Sequence, residues 1–168
     1  MTNNDILRRI RYVFNLGDSK MITIFGLADL KVSREQISNW LKQEDDPAYQ
    51  LSTDEQLATF LNGFIVEKRG KKDGPQPAIE KRLNNNIIFM KLKIALNIKA
   101  EEVLGIIALA GLHISKHELS AFFRKKGHSH YRECKDQVLR NFLQGLQLKY
   151  HDNVEPKPAY KWKKVGDK

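Results

Sequence analysis

Cysteine occurs once in 168 residues, as Cys134, so no intramolecular disulfide can form and a reducing compartment is the default. Long apolar runs are missing too. The longest, Val103 to Leu112, falls far short of the ~18 residues that a membrane span needs. The opening Met1-Thr2-Asn3-Asn4-Asp5 is polar and lacks the positive-then-apolar order of a secretion signal. These features predict a cytoplasmic protein without a membrane association. No phosphate loop, dinucleotide fingerprint or nucleophile elbow is found, and no polar constellation converges on chemistry. A non-enzymatic protein with no cofactor is the expectation.

What is present is a repeat. Asn3 to Val66 reappears as Asn85 to Leu148 without an insertion or deletion, a constant shift of 82 positions. Identical pairs include Asn3/Asn85, Asn4/Asn86, Asn15/Asn97, Leu27/Leu109, Ser33/Ser115, Asp54/Asp136, Phe60/Phe142 and Gly63/Gly145. Most matched positions are apolar, so the copies share chiefly a way of packing. Each copy is small enough to be marginal as an independent domain, which favours two modules docked together. The predicted boundaries are 1–66 for the first copy, 67–84 for a basic linker, 85–150 for the second copy and 151–168 for a basic flexible tail.

Apolar spacing of three and four predicts an all-α protein of two homologous four-helix modules related by an approximate twofold. Helix one, about Asn4 to Leu16, carries the stripe Ile6, Leu7, Ile10, Val13 and Phe14. Helix two, about Ser19 to Asp29, is apolar on most sides and is expected at the centre of its module. Helix three opens at Ser33, with Gln36 closing a capping box, as Ser115 and Glu118 do in the second copy. Helix four is expected to open at Ser52 with a capping Glu55. Gly63 and Gly145 sit inside helices, where glycine costs roughly 1 kcal/mol relative to alanine, so their retention predicts a close neighbouring helix.

Formal charge is +9 and the sequence pI about 9.6, which favours an anionic partner. The charge is unevenly shared. Asn3 to Val66 holds seven basic and nine acidic residues, whereas Asn85 to Leu148 holds ten and five. A duplicated scaffold of opposite charge points to divided labour or mutual attraction of the copies, or to drift of solvated surfaces.

Three groups of residues merit a chemical reading. Leu30 to Trp40 and Leu112 to Phe122 resemble the turn and second helix of a helix-turn-helix DNA reader. In such a reader Arg34, Glu35 and Asn39, or Lys116, His117 and Ala121, would face the groove. Against it, Lys31 and His113 stand where the turn glycine belongs, and a Ser-capped structural turn fits the same string. The second group is Arg124-Lys125-Lys126, with Arg132 and Lys135 downstream, and the tail residues Lys161, Trp162, Lys163 and Lys164. Such cations attract phosphates without sequence preference, and Tyr160 and Trp162 offer planes for unpaired bases; a solubilising tail is the other reading. Third, His128, His130 and Cys134 lie within seven residues, but the first copy has Asp46, Ala48 and Ser52 there and no zinc spacing is present, so no metal site is expected.

The repeat and its boundary strings, Asn3-Asn4-Asp5-Ile6-Leu7-Arg8, Asn84-Asn85-Asn86-Ile87, Phe60-Leu61-Asn62-Gly63 and Phe142-Leu143-Gln144-Gly145, make the chain resemble the YehS-like family over about Thr2 to Tyr150. These are bacterial proteins with two tandem copies of a domain of unknown function. The resemblance implies a bacterial, cytosolic, all-helical protein and supplies no catalytic residue. The residues themselves leave two functions in view: a nucleic-acid-binding or regulatory module, and a protein-interaction adaptor with no nucleic-acid role.

Overall fold

A computed structural model of the chain describes residues 1–155. Four helices form the first copy: α1 (Asn3–Val13), α2 (Asp18–Leu27), α3 (Arg34–Leu41) and α4 (Asp54–Arg69). Their counterparts are α5 (Asn85–Leu96), α6 (Ala100–Leu109), α7 (Lys116–Phe122) and α8 (Asp136–Leu146), and a π-helical turn, Gln147–His151, continues α8. Among the described residues there is no strand.

Helices one and two end earlier than their apolar spacing suggests, and the reason is backbone conformation. Asn15 (φ 52°) and Asn97 (φ 52°) turn left-handed, as do Asp29 (φ 65°) and Gly111 (φ 85°). After α2, the Leu30 amide donates to the Phe25 carbonyl at 3.1 Å and the Asp29 amide to Gly26 at 3.0 Å, the paired bonds of a Schellman stop. Leu112 and Gly111 repeat it on Ile107 and Ala108. The matched Asn15/Asn97 pair is thereby explained, since asparagine tolerates the left-handed region better than most residues with a side chain. Lys31 and His113, by contrast, are not the left-handed residues of the turn; that task falls two positions earlier.

The α3 cap is as expected: Ser33 Oγ accepts from the Gln36 amide and Gln36 answers to the Ser33 amide. Ser115 caps α7 through the Glu118 amide at 3.0 Å, without the return bond to its own backbone. Helix four opens one residue later than expected. Thr53, not Ser52, caps α4, with Gln56 in place of Glu55, because Ser52 is buried and its amide is held by Asn4. Its far end reaches Arg69 and stops at Gly70 (φ 83°), so the first three residues of the expected linker are helical.

Nor is α2 the central element. Only Met21, Ile24 and Phe25 of α2 are buried, while in α4 every residue from Leu57 to Phe64 is buried. The cause is tertiary: α4 packs on α2 within its copy and on α5 of the other copy. Phe60 and Phe25 meet at 5.2 Å between ring centroids, and Phe25 and Trp40 at 5.4 Å. A fully buried side chain of this size contributes about 1.5–3 kcal/mol, so such contacts anchor each bundle. In the second copy, Phe89 and Phe142 stack at 4.5 Å.

The copies are joined reciprocally. While α4 packs against α5, α1 packs against α8 and its π-helical turn. Arg9 donates to Gln144 Oε1 at 2.7 Å, and Lys91, the residue equivalent to Arg9, donates to Asn62, the equivalent of Gln144. Contacts of i with j repeated as j with i are the mark of an approximate twofold, here within one chain.

A paired asparagine motif ties each bundle together. Asn4 Nδ2 donates to the carbonyls of Trp40 (2.9 Å) and Gln50 (2.7 Å), and its Oδ1 accepts the Ser52 amide at 2.8 Å. Asn86 does the same with Phe122, Arg132 and Cys134. Beside them Asn3 bonds Asp54 Oδ1 and Asn85 bonds Asp136 Oδ1, at 2.8 and 2.7 Å. Helix one is thus stitched to the loop that enters helix four.

Candidate nucleic-acid interface

Helix α3 and helix α7 follow connectors of six residues, and each presents a cation at its first position. Arg34 donates to Ser19 Oγ at 2.6 Å and lies 3.8 Å from Asp18, while Lys116 pairs with Glu101 at 2.7 Å. Ser19 and Glu101 are equivalent positions, so both copies lean this cation toward the start of the preceding helix. The Lys116 hydrogen bond holds the Glu101 carboxyl below its ordinary pKa. Arg34 and Lys116 nevertheless remain about two-thirds exposed. Asn39 is half-buried: its Oδ1 accepts Lys42 Nζ at 3.2 Å and its carbonyl accepts the Gln50 amide. Ala121, expected to face solvent, is buried instead, since the last turn of α7 lies against the body of its copy.

His117 is exposed and lines a depression of about 720 Å³ with His130, Tyr131, Arg132 and Glu133. Arg124, Lys125 and Lys126 follow α7 in the loop 123–135, whose residues 124–130 are all exposed. Among the described residues none of these three is in ion-pair contact with a carboxylate, whereas Lys135 is 3.6 Å from Glu133. The equivalent first-copy positions are Lys42, Gln43 and Glu44. Charge therefore concentrates on one copy's loop. Lys161, Trp162, Lys163 and Lys164 lie outside the described residues.

The histidines of this loop have a structural use. His128 Nδ1 accepts the His130 amide at 3.0 Å, as Asp46 Oδ1 accepts the Ala48 amide at 2.9 Å in the first copy. Cys134 is 1% exposed, and burial pushes its thiol pKa up to about 12. Among the described residues no group of three or more His, Cys, Asp or Glu side chains is arranged to hold a metal ion. No described helix is long and apolar enough to cross a membrane.

A cationic feature that sequence reasoning passed over lies between the copies. Arg8, Arg9 and Tyr12 of α1 and Arg140 and Leu143 of α8 line a depression of about 540 Å³. The run Arg8-Arg9-x-Arg11 on the polar side of helix one was its local signal, but Arg140 joins it only through the docking of α1 on α8.

With this geometry in hand, the chain can be set beside known proteins. A family profile described as "Protein of unknown function (DUF1456)" matches residues 3–70 and again residues 85–151. The chain belongs to this family. The two matched stretches are the two helical copies; the first ends four residues beyond the expected copy boundary of 66 and the second one residue beyond that of 150. The chain is similar to the Uncharacterized protein YehS of Escherichia coli (strain K12), 41% identical over 153 residues, which covers 90% of this chain and 97% of that protein. No solved structure matches.

Proposed function

We propose that this DUF1456 chain is a non-enzymatic, cytoplasmic nucleic-acid-binding module that holds phosphate backbone on its second copy. The observation that carries the reading is the exposed Arg124-Lys125-Lys126 loop, whose three cations have no carboxylate partner among the described residues. Unpaired surface cations release condensed counterions when they meet a phosphate chain, and this supplies affinity without reading bases. Arg132 and His117 are exposed too and line one depression of the same copy. Lys116 is the weaker contributor because Glu101 already neutralises it locally. The helix-turn-helix likeness adds the finer reading that α7 approaches a groove, although buried Ala121 and the six-residue connector leave few side chains to reach base edges.

The deciding experiment is fluorescence anisotropy of the full chain with fluorescein-labelled duplex and single-stranded oligonucleotides at about 50 mM salt, where electrostatic contacts are least screened. A complex with either probe supports the reading; no complex with both overturns it. The second reading, an adaptor for a protein partner, is favoured by the cationic depression between the copies.

A further inference from the structure

We propose that the depression between α1 and α8 is a docking groove for an acidic, extended peptide segment of a partner protein. The inference draws on residues other than those of the phosphate-binding loop and stands or falls separately. Its ground is the approximate twofold. The position equivalent to Arg9 is Lys91, and there the groove is filled by the chain itself. Residues 79–83 of the connector lie across it: Glu80 meets Lys91 Nζ at 2.9 Å, Ile79 is half-buried, and Leu83 packs against the core while its amide donates to Asp54 at 2.8 Å. Lys91 is left only 11% exposed.

On the other side no described residue takes the place of the connector. Arg9 keeps its amide contacts, to Gln144 at 2.7 Å and Gln147 at 3.0 Å, matching the Lys91–Asn62 bond. Among the described residues it has no carboxylate where Lys91 has Glu80. Asp136, the equivalent of Asp54, receives the Met1 amino group at 3.6 Å, as Asp54 receives Leu83.

Substitutions around this open groove have made it more cationic than its mate. Arg8 stands opposite Met90 in the comparison of copies, and Arg140 opposite Ala58. Among the described residues the acid lining it is Asp5, which is already engaged by the Thr2 amide at 2.9 Å and by Arg8 at 3.2 Å, and Arg8 also donates to the Lys42 carbonyl. Half-exposed Tyr12, stacked on His151 at 4.1 Å, supplies an apolar wall. The occupant that fits repeats the first part of the connector's pattern with more negative charge: an apolar residue, a glutamate for Arg9, then further acids for Arg8 and Arg140, ending where Met1 already takes the place that Leu83 has in the mate. A peptide strand with those features satisfies the cations by charge-assisted hydrogen bonds and covers the apolar wall.

The probe is a fluorescein-labelled synthetic peptide spanning residues 77–82 with Lys81→Glu and Arg82→Glu, titrated with the full chain. Binding is expected to weaken at least about tenfold with Arg140→Glu, which removes no hydrogen bond of the fold, and with Glu80→Gln in the peptide. Arg9→Lys, which installs the residue of the occupied mate, is expected to retain it. Lys125→Glu in the chain is expected to leave it unchanged. No binding of the peptide overturns the proposal, as does binding insensitive to Arg140→Glu. An oligonucleotide complex lost on Arg140→Glu but kept on Lys125→Glu, or a dimer of the full chain lost on Arg140→Glu with no peptide bound, would assign the groove to nucleic acid or to a second copy and overturn it equally.

Discussion

The backbone of α4 at Gly63 rests directly on the carbonyl of Ile24 in α2: a Cβ built on Gly63 would stand 2.8 Å from the Ile24 carbonyl carbon and closer still to its oxygen. Gly145 and Ile106 repeat the contact in the second copy, with 2.7 Å to the carbonyl carbon. Neither neighbour is a flexible side-chain end that can swing aside. Gly63→Ala and Gly145→Ala are therefore expected to destabilise at or beyond the upper end of the roughly 1–3 kcal/mol typical of overpacking. Gly26, helical with nothing within 4 Å of a built Cβ, provides the contrast: Gly26→Ala should stabilise by up to about 1 kcal/mol. Urea unfolding of the three variants checks both signs, and a tolerated Gly63→Ala would refute the close approach.

Asn4 completes three bonds to backbone groups brought together from α3, its loop and the entry to α4. Asn4→Ala leaves two carbonyls and an amide without that partner in a buried setting, at about 1–3 kcal/mol for each group that water cannot reach. Loss of roughly 3 kcal/mol is expected, and Asn86→Ala should behave alike. Asn3→Ala, at a half-buried site, should cost less than half as much. Equal effects of Asn3→Ala and Asn4→Ala in chemical denaturation would contradict this ranking.

These two motifs show where the sequence was legible. Helical spacing, the Ser33 cap and the close approach at Gly63 follow from local pattern or from comparing the copies, and the all-α duplicated fold stands on them. The roles of Asn4 and Asn86 were not readable, because their hydrogen-bond partners lie 36 to 48 residues away. The apolar content of α2 points to a central place for it, yet α4, with buried Thr59 and Asn62, is enclosed on two sides. What encloses it is α5, a partner that no local window contains. The groove around Arg9 was hidden for the same reason. Of the residues proposed for phosphate contact, Arg124, Lys125 and Lys126 are exposed, while the burial of Ala121 depends on how α7 is rolled against its bundle.

Each copy joins the other through surfaces that an isolated copy would leave bare, including half-buried Phe14, whose ring lies 5.4 Å from that of Tyr150. Residues 1–70 expressed separately should self-associate through the α1 and α4 surfaces or fold loosely. Sedimentation velocity with a thermal melt distinguishes these outcomes from a cooperatively melting monomer, which would show that one bundle suffices.

Cys134 and Ser52 occupy the same place in the two copies and differ in satisfaction. Ser52 Oγ is buried with no hydrogen-bond partner among the described residues, whereas the buried Cys134 thiol donates a weak hydrogen bond to the Lys135 carbonyl at 3.7 Å. Ser52→Cys should stabilise by about 1 kcal/mol, since an orphaned hydroxyl costs more than a buried thiol. Burial raises the Cys134 pKa from its ordinary value to about 12, so the folded state disfavours the thiolate. Its stabilising contribution is complete below the unfolded thiol's pKa near 8.5 and is lost progressively as pH rises from there toward 12. Alkaline unfolding should therefore begin earlier in the Ser52→Cys chain than its neutral-pH stability suggests. Rapid native labelling of Cys134 by Ellman's reagent at pH 8 would rule the buried thiol out.

If Arg124, Lys125 and Lys126 hold a phosphate backbone, affinity is mostly counterion release. The log of the binding constant should then fall linearly with the log of salt concentration, with a slope near −0.9 for each phosphate neutralised on duplex DNA. Reversing all three charges should reduce the slope by about three such increments and weaken binding evenly across sequences, because phosphate contacts carry no base information. Lys116→Ala tests the finer reading. It is expected to shift affinity little, since Glu101 already pairs with this lysine at 2.7 Å, and to alter sequence preference only if α7 enters a groove. The triple reversal leaves the fold intact, as none of the three side chains is buried, so an unchanged melting temperature accompanies the expected loss. Anisotropy titrations between about 50 and 200 mM salt, run on two unrelated duplexes, decide the matter: a slope unaffected by the triple reversal would remove this loop from the interface.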